Sequence, residues 1–170
     1  MPVILVTGTP GCGKTTACQL ISSASGLSHI DVSKFALQHK LHLGRNEHWD
    51  THILDEDALL DMLEPIIEKG NCIIDFHSPG LFPERWFDLV VVLMTDNAVL
   101  YPRLQARGYS EQKCEENIDC EIFGVVREEA MESYEKERVV CLQSDTIEHM
   151  DENVERVLGW IEAHAAALEH

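Results

Sequence analysis

The chain has no apolar run approaching the ~18 residues that a membrane-spanning helix needs. It also lacks a basic start leading into a short signal-like apolar segment, since Met1-Pro2-Val3 passes straight into a strand pattern. A soluble, intracellular protein is therefore expected. Cationic residues are scarce: 13 Lys and Arg stand against 30 Asp and Glu, a formal charge of −17. A field of that sign repels phosphate backbones at long range, so direct DNA binding is not expected. It suits a basic protein partner, or serves solubility alone. No two of the six cysteines, at 12, 18, 72, 114, 120 and 141, form a CxxC pair. Reduced thiols are expected rather than a zinc ribbon or a disulfide framework. No basic cluster reads as a nuclear localisation signal, nothing repeats, and no linker divides the 170 residues. An apolar content of 45% suffices for the core of one domain. The segment Ala165-Ala166-Ala167-Leu168-Glu169-His170 resembles a cloning scar, so that domain is placed at 1–164 and 165–170 is set aside.

What is present is concentrated near the start. The apolar run Val3-Ile4-Leu5-Val6 leads into Gly8-Thr9-Pro10-Gly11-Cys12-Gly13-Lys14-Thr15, with Thr16 next, and Ala17-Cys18-Gln19-Leu20-Ile21 leaves with helical spacing. Strand, glycine-rich turn and helix in that order make a phosphate-binding P-loop. Gly11 and Gly13 let the backbone curl with its N–H groups inward, and the helix that opens there attracts anions. Lys14 supplies a mobile cation for the outer phosphates of a nucleotide such as ATP. The Thr15 hydroxyl suits Mg²⁺, and Thr16 suits the α-phosphate side.

Along the chain, a helix over about 14–25 stops at Gly26, and Leu27–Val32 reads as a second strand. Ser33 is expected to cap a short helix reaching about Lys40. Leu41 to Ile53 is polar and aperiodic, as an exposed loop would be. Apolar positions 54, 58, 59, 62, 63, 66 and 67 give a helical face over Leu54–Lys69. Strands are expected at Cys72–His77, buried and ending in polar residues, at Leu89–Thr95, wholly apolar as in the centre of a parallel sheet, and at Val139–Leu142. Pro102 belongs in a first helical turn, which places a helix start near Tyr101 and its end at Arg107-Gly108. Glu111 to Arg138 reads as one long charged helix, and Asp151–His164 closes the chain. Strands alternate with helices throughout, which predicts a three-layer α/β fold with a mostly parallel sheet.

Asp75 ends an apolar strand, where a carboxylate can hold Mg²⁺ opposite the P-loop hydroxyl. A strand-end Asp alone is more often a cap or turn residue, but the P-loop upstream favours the binding crevice. His77, two residues on, leaves the same face and could orient a water or polarise an acceptor, although a strand-end His is commonly structural. Arg103 and Arg107 share a helical face and could meet transition-state charge on the phosphates, against the ordinary reading of solvated cations. Arg85 is a further candidate, with a surface ion pair as its alternative. His39, His42, His48 and His52 lie near Glu47 and Asp50, but without the tight spacing of a zinc site.

The P-loop block, with Ile53-Leu54-Asp55-Glu56-Asp57, Asp75-Phe76-His77, Phe82-Pro83-Glu84-Arg85-Trp86-Phe87, Arg107-Gly108-Tyr109 and Cys120-Glu121-Ile122-Phe123, resembles the adenylate kinase isoenzyme 6 family. That family is also called the coilin-interacting nuclear ATPase family, and the matching segments run in order through most of the chain. The resemblance implies a P-loop nucleoside monophosphate kinase fold with a five-stranded parallel sheet, an NMP-binding region at about 31–54 and a short lid near 106–116. It implies ATP and Mg²⁺, transfer of the γ-phosphate to AMP or a related monophosphate, and ATP hydrolysis. A role in small ribosomal subunit maturation is implied as well, through a basic small-subunit ribosomal protein, with residence in cytoplasm and nucleus. A monomer is expected.

By the same resemblance, Gly11, Gly13, Lys14, Thr15 and Thr16 cradle ATP, Arg107 is its lid contact, and Asp75 and His77 form a Walker B-like pair. Asp31 and Ser33, at the start of the NMP region, and Arg85 are the residues expected at the acceptor. One departure stands out. The helix after the second strand often carries an arginine for the acceptor phosphate, and this chain has Leu37 there, with Lys34 and Lys40 as possible substitutes. The alternative is thus an ATPase-switched assembly factor with weak or no kinase activity.

Overall fold

The computed structural model describes residues 1–46 and 51–169. Strand β1 (Val3–Thr7) is buried along its whole length and delivers the chain into the P-loop and helix α1 (Lys14–Ser25). Gly26 ends α1 in a left-handed turn, φ 77°, that a side chain would strain. Then come β2 (Ser28–Asp31), α2 (Val32–Gln38), β3 (His42–Asn46), β4 (Thr51–Leu54), α3 (Glu56–Lys69) and β5 (Cys72–Asp75). Two short 3₁₀ turns, Pro79–Leu81 and Glu84–Trp86, lead to β6 (Leu89–Met94). The chain closes with α4 (Asn97–Ala106), α5 (Glu111–Ile122), α6 (Val125–Ser133), β7 (Val139–Gln143) and α7 (Ile147–Leu168).

The main sheet has five strands in the order β2-β5-β1-β6-β7, every neighbouring pair parallel. Alternation in β1 builds two cores. Val3 and Leu5 face α2, α3 and α6, while Ile4 and Val6 face α1, α4, α5 and α7. Strands covered on both faces need apolar residues at every position, which is why β1, β5 and β6 read as unbroken apolar runs. Each fully buried Leu or Ile contributes about 1.5–3 kcal/mol, so the three-layer arrangement follows from these strands. The α/β class and the five-stranded parallel sheet are as the sequence implies.

Several local expectations differ. Asp31, not Ser33, caps α2, because its carboxylate accepts from the Lys34 amide at 3.1 Å and Ser33 falls inside the first turn. The polar stretch after Leu41 is not simply a loop, since it contains the antiparallel pair β3–β4. Helix α4 begins at Asn97, well before Tyr101. Asp96 accepts from the Ala98 amide at 2.9 Å, and this cap together with the full burial of Leu100 and Leu104 carries the helix through the internal Pro102. The long charged helix is two helices, broken where Gly124 takes φ 64°. The closing helix starts earlier than expected, behind Thr146, and continues through Leu168.

The connection after β5 is fixed by aromatic packing. Phe82 meets Phe76 edge-on at 5.8 Å and Phe87 at 5.5 Å, and Phe87 meets Tyr134 at 5.9 Å. The Tyr134 hydroxyl donates to the Pro79 carbonyl at 2.6 Å. Most of the Phe-Pro-Glu-Arg-Trp-Phe segment is thereby spent on holding this connection, and with it His77, in place.

Candidate active site

Parallel order puts the C-terminal ends of β1, β2 and β5 together. Val6 lies beside Asp75, and Asp75 beside Asp31, at the rim from which the P-loop departs. Within the loop Gly11 and Gly13 have φ 93° and 88°, positions that reject a side chain on backbone grounds alone. A Cβ on Gly8 would lie 2.7 Å from the Leu93 carbonyl oxygen, so this turn also needs the bare backbone for close packing.

The first amides of α1 receive no side-chain acceptor, because Gly13 is the N-cap. Asp31, Asp55, Asp96, Ser110 and Thr146 supply such acceptors to α2, α3, α4, α5 and α7. Uncapped amides beside a lysine make a phosphate site. Lys14 Nζ donates to the carbonyls of Gly8 at 2.9 Å and Thr9 at 3.2 Å. Burial lowers its pKa, and Arg107 adds to this against the opposing pull of Cys12 and Asp75.

The Thr15 hydroxyl donates to Asp75 Oδ2 at 2.8 Å, and His29 Nε2 lies 3.1 Å from the same oxygen. Two oxygen donors in contact, one on the P-loop helix and one at a strand end, fit the all-oxygen preference of Mg²⁺. Thr15 and Asp75 are the residues that would hold it. His77 lies at the rim with its ring 4.4 Å from that of Phe76. Crowding by the surrounding protein pushes its imidazole down to about 4, with Lys14 and Lys113 adding to this and Asp75 opposing. His77 remains exposed in part to solvent, which tempers the depression, but the direction leaves it neutral at pH 7.

Two predicted arginines have other partners. Arg103 donates to the carbonyls of Gly11 at 3.2 Å, Ser144 at 3.0 Å and Asp145 at 3.0 Å. Its guanidinium is a clamp between the P-loop and the β7–α7 turn rather than a free cation for phosphates. Arg85 is not brought to the crevice. It pairs with Glu64 at 2.7 Å beside Val3 and Asp88, at the opposite end of the strands, and its side chain is 72% exposed. Arg107, by contrast, ends α4 on the P-loop side and lies 5.7 Å over the Tyr109 ring. Of the acceptor candidates, Asp31 is at the rim as the cap of α2, and Ser33 is exposed beside it. Thr16 is exposed at the start of α1. In the histidine-rich stretch, the His39 ring packs tilted against Phe35 at 4.3 Å, and His48, Glu47 and Asp50 lie outside the described residues.

The structure adds residues that spacing does not reveal. Ser144 is buried and its hydroxyl donates to the Cys12 carbonyl at 2.7 Å, while Thr95 donates to the Ser144 carbonyl at 3.0 Å. Glu121 accepts from the Thr95 amide at 3.3 Å and from the Cys12 thiol at 3.5 Å. Burial, reinforced by Glu121, pushes the Cys12 thiol up to about 12. Glu121 lies within the Cys-Glu-Ile-Phe segment, which was a usable signal. Ser144, Thr95 and His29 stand in no motif and are found by the fold alone.

Comparison with known proteins agrees with this geometry. An AAA domain family model matches residues 4–124. The adenylate kinase isoenzyme 6 homolog of Saccharomyces cerevisiae is 51% identical over 160 residues, covering 94% of this chain and 81% of the yeast protein. The chain belongs to the adenylate kinase isoenzyme 6 family. The homolog of that name from Caenorhabditis elegans is 49% identical, over 92% of this chain and 87% of its own. Among solved structures, the YorR protein of Bacillus subtilis in complex with phosphorylated GDP has a TM-score of 0.68 at 19% identity, covering 96% of this chain and 98% of its own. Shikimate kinase from Bacteroides thetaiotaomicron scores 0.65 at 19% identity, covering 95% and 98%. At that identity they establish the P-loop kinase fold. Membership of the isoenzyme 6 family makes this chain a nucleotide kinase that uses ATP, typically with Mg²⁺. Among the described residues no helix is long and apolar enough to cross a membrane.

Proposed function

We propose that the chain transfers the γ-phosphate of ATP to AMP or a related nucleoside monophosphate, and hydrolyses ATP when no acceptor is bound. The observation that carries this reading is the 2.8 Å contact of Thr15 with Asp75 beside Lys14. Lys14 exchanges the Gly8 and Thr9 carbonyls for the outer phosphate oxygens, and the uncapped amides of α1 hold the rest of the polyphosphate. Thr15 and Asp75 would hold magnesium, which when bound would supply charge neutralisation to the nucleotide phosphates. Arg107 adds a cation as the lid expected near 106–116 closes, which excludes water and favours transfer over hydrolysis.

The neutral His77 bears on the balance between the two reactions. An acceptor phosphate is already anionic and needs no base, whereas an attacking water gains from a neutral imidazole nitrogen that accepts its hydrogen bond and orients it.

A second reading is favoured by Leu37, which is 54% exposed on α2 where the family resemblance leads one to expect an arginine. In that reading the protein is chiefly an ATPase whose nucleotide state sets its affinity for a basic small-subunit ribosomal protein, a partner that suits the −17 charge. Residence in cytoplasm and nucleus goes with that role. The deciding experiment measures ADP and inorganic phosphate from Mg·ATP together, with and without AMP. Kinase action raises ADP without raising phosphate. Phosphate that tracks ADP regardless of AMP selects the ATPase reading, and capture of a basic protein in one nucleotide state then supports the assembly role. Lys14→Ala should abolish both activities, and retention of either overturns the P-loop assignment.

A further inference from the structure

Beside the Thr15–Asp75 contact, the same carboxylate faces a second set of donors that the phosphoryl-transfer reading does not use. Cys18 lies one helical turn beyond Thr15, on the same face of α1. His29 is in β2, whose neighbour β5 ends in Asp75. The Cys18 sulfur, a His29 ring nitrogen and an Asp75 carboxylate oxygen all lie within 4.8 Å of one another. The nitrogen and oxygen are already 3.1 Å apart. Cys18 is fully buried, and Asp75 is 4% exposed. It is the only group of its kind among the described residues.

The donor types decide which ion fits. Magnesium takes oxygen ligands and dehydrates reluctantly, so it has no use for the thiol or the imidazole. A thiolate, an imidazole and a carboxylate together are the ligand set of zinc, or of cobalt in its place. Tetrahedral zinc, with bonds of about 2.0–2.3 Å, puts its ligand atoms roughly 3.3–3.8 Å apart. The cluster therefore needs a contraction of about 1.5 Å at most, within reach of χ rotations of Cys18 and Asp75. Three protein ligands leave the fourth position to water or to the Thr15 hydroxyl.

We propose that Cys18, His29 and Asp75 form a binding site for Zn²⁺, and that zinc there withdraws Asp75 from the Mg·nucleotide site, so that turnover is inhibited by zinc. On binding, the Cys18 thiol gives its proton to solvent and its sulfur lone pair to the metal, with no change of oxidation state. The binding itself is independent of the proposed activity. The inhibition rests on the assignment of Asp75 to magnesium.

The test uses the full chain, stripped of metal by a chelator, with Co²⁺ as the optical probe and no nucleotide. The expected result is a tetrahedral d–d spectrum with a thiolate-to-cobalt charge-transfer band, bleached by stoichiometric Zn²⁺. Cys18→Ala should erase the charge-transfer band and weaken zinc binding about tenfold or more. His29→Gln should weaken binding while the band remains. Absence of the band in the wild type, or its persistence in Cys18→Ala, overturns the site, and histidines elsewhere cannot mimic a sulfur band. If Cys18→Ala does not fold, zinc-edge absorption of the wild type decides, through the presence or absence of a sulfur shell near about 2.3 Å. In the second arm, ATP turnover in excess Mg²⁺ is followed at buffered free Zn²⁺. Zinc should inhibit the wild type, and Cys18→Ala should keep its basal turnover and resist zinc. Turnover indifferent to zinc in a protein that shows the band overturns the sharing of Asp75. A protein with the band and no turnover at all refutes the kinase and ATPase reading and leaves the site standing.

Discussion

Replacing Arg103 by Met removes the guanidinium and keeps the stem of the side chain. Three donated bonds are lost, to the carbonyls of Gly11, Ser144 and Asp145. A hydrogen bond from a charged donor is worth about 1.5–3 kcal/mol. Two of the three share one nitrogen, and the residue is only partly buried, so the total is placed at about 3 kcal/mol rather than the full sum. For a chain of this size each kcal/mol moves the melting temperature by about 2–4 °C, which gives a fall of roughly 6–12 °C. In urea, with a slope of about 2 kcal/mol/M, the midpoint falls by roughly 1.5 M. Arg103→Lys should recover little of this, because an ammonium cannot bridge three carbonyls as a planar fork does. The KM for ATP should rise with the loss of stability, since Gly11 is one of the anchored groups. Thermal and urea melts of both variants, set beside ATP kinetics, decide the matter. A variant that melts with the wild type while its kcat collapses would refute the clamp and restore Arg103 as a cation for the transition state.

Gly11→Ala forces a left-handed residue to carry a Cβ that would lie 2.8 Å from Leu100 Cδ1. It should cost about 2–4 kcal/mol, and a melt at the wild-type temperature would refute the packing argument. Leu37→Arg should raise AMP-dependent ADP formation at unchanged phosphate release, and no gain would show that the missing arginine is not what limits transfer. Cys12, Cys18, Cys72 and Cys114 are buried, while Cys120 and Cys141 are not fully so. An aromatic disulfide reagent should therefore find at most these last two rapidly in the native protein, and all six only after denaturation. The Cys12 thiol is raised from 9.0 to about 12, so the unfolded chain loses its proton first. The stability Cys12 contributes is full below about pH 9 and is lost as pH rises toward 12. Cys12→Ala should flatten that decline in an alkaline series of melts, and parallel curves would refute the assignment.

Local chemistry explains what the sequence discloses and what it hides. The P-loop, the apolar strands and the helix stop at Gly26 depend on residues near one another in the chain, and they are legible. The start of α4 is hard to read because Pro102 suggests a first turn near Tyr101, whereas the Asp96 cap fixes it at Asn97. The break at Gly124 is a single glycine inside a helical pattern, and such glycines are often tolerated. Arg85 and Arg103 look alike as cations near motif residues. One meets Glu64 at the far end of the strands and the other meets the P-loop, a difference set by topology. His29 and Cys18 belong to no motif: the pairing of β2 with β5 brings His29 to Asp75, and the packing of α1 on β5 brings Cys18 there.

The bond from Ser144 to the Cys12 carbonyl spans 132 positions of sequence, and the Arg103 bond to Gly11 spans 92. A ribosome therefore makes the phosphate loop well before the groups that brace it. Until α4 has emerged the Gly11 carbonyl lacks Arg103, and until β7 has docked beside β6 the Cys12 carbonyl lacks Ser144. The nascent chain then carries a recognition sequence without a recognition site. Competence to hold nucleotide arrives late and all at once, so that grip on ATP reports a finished fold, and a fragment cut before residue 144 should be blind to it.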